Sequence, residues 1–197
     1  MGTAAVLMVV LCLQACRRET GTPVVCERCN VVLVSVDTLR ADHVGAYGYE
    51  RPTTPHLDRF AAASVVFERA VSQSAWTRPA HASMFTGLYP VEHGIVSVHP
   101  PRRLGSKVPT LAAVLSRAGY RTAAFVGGGN LSAEFGFDSG FEVYRSPGRR
   151  FSETVPEAIA WIERDAGRPF FLFVHGLDVH RPYRADEADR LALGLGP

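Results

Sequence analysis

At 197 residues the chain is long enough to bury one sizeable core. Hydrophobic residues make up 47% of it and charged residues 20%, a balance that excludes a disordered chain. A net charge of +2, with no long basic run, gives no reason to expect nucleic acid as a partner.

Residues 2–13 are apolar and lead into Leu13-Gln14-Ala15-Cys16. The run is too short to cross a bilayer and reads as the apolar part of an export signal. Its end resembles a bacterial lipobox, with Cys16 as the lipidated residue. The expectation is an exported chain, periplasmic or held to a membrane through a lipid anchor, with residues 1–16 as signal and 17–29 as tether. An uncleaved anchor and a misplaced start are the alternatives. Cys26 and Cys29 form a lone CxxC, and no second pair completes the four ligands that structural zinc wants. A small local disulfide or two idle thiols are the remaining readings.

The Val-rich run from Asn30 to Val36 predicts a parallel strand buried on both faces. Asp37 follows it directly, so its carboxylate is expected in the crevice where α/β sheets bind ligands. Residues 54–64 predict a helix entered through Thr54 and Pro55, with Leu57, Phe60, Ala61 and Ser64 on one face. Val65-Val66-Phe67 is a short strand candidate. The stretch 74–87 predicts a second, short helix, with Thr77 as its cap, Pro79 in the first turn and Gly87 as its left-handed stop. Such an N-terminus attracts tetrahedral anions, and a hydroxyl there can attack one.

The loop from Gly87 to Arg103 holds His93 and His99, either of which could touch substrate. Residues 110–118 predict a helix with Leu111, Val114 and Leu115 inward, stopped at Gly119. A strand follows over 122–126 and ends in Gly127-Gly128-Gly129-Asn130. Asn130 is a candidate substrate contact there, with a plain turn as the alternative. Residues 152–166 predict an amphipathic helix through Val155, Ile159 and Ile162. Phe170–His175 predicts another buried strand. Alternating strands and helices argue for an α/β fold with a mostly parallel sheet and helices on both faces. Asp37, the Gly127–Asn130 loop and the loop bearing His180 would then share one rim, facing the Thr77 helix.

Several of these stretches resemble the sulfatases of the alkaline phosphatase superfamily. The signature of that family is Cys or Ser, any residue, Pro, any residue, Arg, then a run closing on Thr-Gly. Here Thr77 stands at the nucleophile position, Pro79 matches, His81 replaces the Arg, and Thr86-Gly87 closes the motif. Residues 34–42, 119–122 and 178–183 resemble the flanking motifs, so the likeness covers about 30–185. It implies an alkaline-phosphatase-like fold over 30–197, the N-terminal portion of a larger catalytic domain.

The resemblance also implies a metal-dependent hydrolase of sulfuric esters, acting on a small-molecule or glycan sulfate or phosphate ester. Asp37 and Thr77 would hold a divalent cation, calcium first, with zinc, manganese or magnesium as alternatives. Thr77, His81 and His180 would be catalytic, with His180 and Asn130 on the substrate. Family members oxidise their Cys or Ser to an aldehyde, which Thr cannot yield. Thr77 would therefore act unmodified, as in relatives that hydrolyse or transfer phosphoric and phosphonic esters. Thr38 stands where the family has a second Asp, and the downstream metal ligands are not found. An inactive, truncated envelope protein is the remaining alternative.

Overall fold

The computed structural model describes residues 26–97, 99–165, 167–183 and 185–194. The export signal and Cys16 lie outside the described residues. Four strands form one sheet: β1 (Val31–Val36), β2 (Arg121–Phe125), β3 (Val143–Arg145) and β4 (Phe170–Gly176). Their order is β1-β4-β2-β3 and every pairing is parallel. Six α-helices accompany them among the described residues: α1 (Pro55–Ala61), α2 (Thr77–Thr86), α3 (Pro90–His93), α4 (Leu111–Arg117), α5 (Phe151–Glu163) and α6 (Glu187–Ala192).

The two-residue period of the strands sorts their side chains onto two cores. Phe171 and Phe173 of β4, with Ala124 of β2 and Val126 just beyond it, pack under Ala82 and Phe85 of α2 and Ala112 of α4. Phe170, Leu172 and Val174, with Ala123 and Phe125, pack on Ala158 and Trp161 of α5. Helices therefore cover both faces, as expected. His175 continues the Phe171–Phe173 series and comes up on the α2 side. On β1 the same alternation sends Leu33 into the α2-side core, and Ser35 and Asp37 follow on that side.

The structure corrects some expectations. β1 lies at the edge of the sheet rather than within it. Val32 and Val34 are more than half exposed, because α5 packs over β4 and β2 and stops short of them. Residues 65–67 form no strand. Leu57 and Phe60 of α1 are exposed. Thr54 makes no side-chain cap there; its hydroxyl donates to the Asp58 carboxylate. In α4 and α5 the buried stripe is displaced from the predicted one. Ala112 faces inward while Leu111 and Val114 are exposed, and Thr154, Ala158 and Trp161 face inward while Val155 and Ile159 are exposed; of the predicted residues, Leu115 and Ile162 do pack against the core. The small residues let these helices lie close to the sheet, with the larger aliphatic ones on their flanks. Cys26 and Cys29 are joined as a disulfide.

His93 belongs to the packing, not to a substrate surface. It is 4% exposed. Its Nδ1 accepts the Ile95 N–H at 3.1 Å, so its proton lies on Nε2, which meets Ser83 Oγ at 3.0 Å. Burial holds its pKa below the ordinary 6.5. The unfolded chain therefore takes up this proton before the folded chain does. The corresponding stability is complete above pH 6.5 and is lost as pH falls toward the lower folded pKa. Urea unfolding at about pH 7.5 and about pH 5.5 should show a lower midpoint in acid, with a shallower dependence in His93→Gln. An unchanged slope in that variant would remove His93 from the acid sensitivity.

Candidate active site

The C-terminal ends of β1 and β4 and the N-terminus of α2 meet at one point. Asp37, just past β1, donates its N–H to the Gly176 carbonyl at 3.0 Å, which extends the pairing with β4. Its carboxylate turns toward α2. Thr77 is the first residue of that helix, and Trp76 precedes it as the cap. The Thr77 hydroxyl is therefore not needed for capping; it donates to Asp37 Oδ2 at 3.1 Å. Pro79 sits in the first turn, where it forfeits no intrahelical bond. Gly87 ends the helix at φ 70°, as expected.

His175 Nε2 lies 3.3 Å from the same Asp37 Oδ2. The Gly127 N–H donates to His175 Nδ1 at 3.2 Å, which leaves the ring proton on Nε2, facing the carboxylate. Side chain 175 is thus a fully buried link between Asp37 and the loop after β2. Burial pushes the Asp37 carboxyl up, but the hydrogen bonds from His175 and Thr77 outweigh it and hold the pKa below the usual carboxylate range. The group is ionised at neutral pH.

His81 lies one turn into α2, beneath Thr77. Its Nδ1–H donates to the Thr77 carbonyl at 2.8 Å. Burial pulls its pKa below that of free imidazole, so Nε2 carries a lone pair and accepts from Ser35 Oγ at 2.9 Å. The ring also sits edge-on to Phe173 and to His175. Both of its nitrogens are engaged, and its contacts hold the start of α2 against β1.

Asn130 meets α2 by another route. Arg78 Nε donates to Asn130 Oδ1 at 3.1 Å, and the guanidinium lies 4.2 Å over the Phe135 ring. Arg78 is 5% exposed and its Nη1 has no partner among the described residues. It ties the helix start to the Gly127–Asn130 loop. His180 follows β4 on the same rim, but its Nδ1 bonds the carbonyl of its neighbour Arg181 at 2.7 Å. It lines a separate cleft. The structure therefore brings Asp37, Thr77 and His81 together, joins Asn130 to them through Arg78, and leaves His180 beside them.

Oxygen donors suited to a hard cation are present only in part. Asp37 Oδ1 accepts no hydrogen bond among the described residues, and Thr77 Oγ1 is adjacent. No group of three His, Cys, Asp or Glu side chains converges as a metal site among the described residues. Two oxygens fit one edge of a site that wants about six and do not complete it.

Residues 29–191 match the sequence profile of the family described as Sulfatase. The chain belongs to the sulfatase family. It is 31% identical over 146 residues to human N-sulphoglucosamine sulphohydrolase, covering 70% of this chain and 29% of that protein. It is 28% identical over 114 residues to N-acetylgalactosamine-6-O-sulfatase of Bacteroides thetaiotaomicron, covering 56% of this chain and 22% of that one. The sulfatase chain thus spans less than a third of the length of these curated relatives. Among solved structures, the phosphonate monoester hydrolase of Agrobacterium radiobacter superimposes with a TM-score of 0.64 at 23% identity, covering 82% of this chain and 43% of that one. The C-terminal periplasmic domain of EcEptC from Escherichia coli, solved with Zn, gives 0.62 at 18%, covering 87% and 49%. These two establish the alkaline-phosphatase-like fold of this sulfatase chain.

Ser35, Arg78 and His175 were not singled out by the sequence. For Ser35 and His175 a signal existed. Each is a polar residue on an otherwise apolar strand, within two positions of its C-terminal end. Nothing in the sequence marked Arg78.

Proposed function

We propose that this chain carries the nucleophile side of a sulfuric-ester hydrolase site. The Thr77–Asp37 hydrogen bond at the start of α2 is the observation that supports it most. It joins a hydroxyl to an ionised carboxylate where helix amides converge. Thr77 Oγ attacks the sulfur and its proton passes to Asp37. The bond from sulfur to the ester oxygen breaks, and the departing alkoxide takes a proton from His180 or from water. Water then cleaves the sulfated threonine and releases sulfate. His175 keeps Asp37 oriented, and His81 with Ser35 steadies Thr77. His81 is thus a positioning residue rather than an acid or base.

A divalent cation, calcium by the family resemblance and zinc by the likeness to the EcEptC domain, would be held in part by Asp37 and Thr77 and would lower the hydroxyl pKa. The two curated relatives named above are sulfate-removing enzymes, both named for sulfated amino sugars. This favours a glycan or small-molecule sulfate as substrate. Thr77 itself favours a second reading, hydrolysis or transfer of a phosphoric or phosphonic ester, because threonine cannot become the aldehyde used on sulfates. The Agrobacterium neighbour acts on phosphonate monoesters by name.

Paired assays with an aryl sulfate and an aryl phosphonate monoester, each with calcium, zinc, manganese, magnesium or chelator, separate the two. Metal-dependent release from the sulfate is the expected result. Release from the phosphonate alone would transfer the proposal to phosphorus chemistry, and release from neither would leave this chain without the activity.

A further inference from the structure

Residues 26–29, Cys-Glu-Arg-Cys, precede β1 and take no part in the site around Thr77. All six residues of β1 separate them from Asp37, about 20 Å at the rise of an extended chain. Cys26 and Cys29 are joined, and both are exposed, as are Glu27 and Arg28 between them. A disulfide stabilises a fold most when it closes a long loop, and this ring encloses only Glu27 and Arg28. Opening it therefore takes little from the fold.

The ring holds no part of the sheet. Among the described residues, no hydrogen bond or ion pair ties residues 26–29 to the rest of the chain. The sheet is fastened from the next residue on. Asn30 Oδ1 accepts the Phe170 N–H at 3.1 Å, and Val31 pairs with Phe171. That anchor does not pass through sulfur, so β1 keeps its place whether the pair is oxidised or reduced. The closed turn also carries a cost of its own. Arg28 has φ 60°, in the left-handed region that a residue with a Cβ enters at a penalty. Opening the ring lets Arg28 leave it. Exposed sulfurs, a short ring and a strained turn are the marks of a disulfide that exchanges rather than one that staples.

We propose that Cys26 and Cys29 form a thiol–disulfide exchange site whose partner is a dithiol. A thiolate of the partner attacks one sulfur of the pair. The Cys26–Cys29 bond breaks, and the other cysteine leaves as a thiolate and takes a proton. The partner's second thiol, deprotonated, then attacks the partner's own sulfur in the mixed disulfide and releases the remaining cysteine, which is protonated in turn. Two electrons pass to Cys26 and Cys29, the protons of the two partner thiols are balanced by those the cysteines gain, and the partner becomes the disulfide. The reverse sequence reoxidises the pair. No residue is shared with the proposed hydrolase chemistry, so neither reading depends on the other.

Reduction of the full chain by dithiothreitol, in buffer and in urea strong enough to unfold it, tests the site. Alkylation followed by mass spectrometry of the peptide carrying Cys26 and Cys29 follows this pair apart from Cys12 and Cys16. The folded chain should be reduced within about tenfold of the rate of the unfolded chain, because its sulfurs are already accessible. Reduced chain returned to mixtures of reduced and oxidised glutathione should settle at a degree of oxidation that follows the mixture. Far- and near-UV circular dichroism should show the fold retained in both states. A larger gap between the folded and unfolded rates would overturn the proposal, since reduction would then wait on unfolding. A pair that stays wholly oxidised or wholly reduced across the mixtures would overturn it too, as would loss of the fold on reduction. A dithiol oxidoreductase that outpaces dithiothreitol at equal thiol concentration would place the partner among proteins, and a slower one would place it among small dithiols.

Discussion

Thr77→Ala is expected to lower kcat for the ester by about 10⁴-fold or more, the scale on which removal of an attacking group acts. Stability should stay within about 1 kcal/mol of the unaltered chain, the net value of one hydrogen bond. The two expectations separate because of where Thr77 sits. It is the first residue of α2, a position alanine accepts readily, and its hydroxyl makes no cap. Its recorded side-chain bond is the one to Asp37. Removing the oxygen therefore removes the proposed nucleophile with little effect on the helix. Thr77→Ser keeps the oxygen and its bond to Asp37, so turnover within about tenfold is expected, the loss reflecting the freer rotation of serine. Wild-type turnover by Thr77→Ala would remove this residue from the chemistry and return the cluster to a structural role.

How much of this was legible depended on what each residue had to do. The parallel sheet could be read because β2 and β4 are buried on both faces and are mostly apolar. The same pattern misled for β1, since composition reports that a strand is apolar and not whether neighbours flank it. Val32 and Val34 are as apolar as Phe171 and Leu172, yet β1 lies at an edge. Helix stops were legible where backbone conformation demands a residue, as at Gly87 and Gly119. The inward faces of α4 and α5 were legible only in part: Leu115 and Ile162 pack against the core as expected, but close approach to a sheet puts Ala112 and Ala158 at the centre of the contact ahead of the larger aliphatics that periodicity counts first.

The candidate site was legible in its first layer and hidden in its second. Asp37, Thr77 and His81 stand in a motif and at a strand end, so local sequence points to them. His175 and Ser35 act through residues that are distant along the chain: His175 is 138 positions from Asp37, and Ser35 is 46 from His81. Such pairings become visible only once β1 and β4 are known to be neighbours. Their effect is nonetheless definite. Each ring nitrogen of both histidines has an assigned partner, which fixes the tautomers and leaves Asp37 Oδ2 as the point where two donors converge.

That convergence makes Asp37→Asn the most informative charge removal. Thr77 Oγ1 and His175 Nε2 both address Oδ2, while Oδ1 accepts nothing among the described residues. Asparagine can place its amide oxygen where Oδ2 lies, keep both hydrogen bonds, and turn its NH₂ toward the unused side. What is lost is the negative charge and the ability to take the Thr77 proton. A general base contributes roughly 10² to 10⁴-fold, so kcat should fall by that factor while the fold persists.

His175→Gln should differ in kind. It leaves either the Gly127 N–H or the Asp37 carboxylate without its buried partner, at a cost of about 1–3 kcal/mol in urea unfolding. It should reduce turnover by only about 10- to 100-fold, as losses of supporting groups do. The order of the two variants carries the argument, because a base must outrank its support in rate and the support must outrank the base in stability. Turnover near normal in Asp37→Asn alongside an inactive His175→Gln would reverse that order. The carboxylate would then be part of the scaffold, and the proton of Thr77 would need another acceptor.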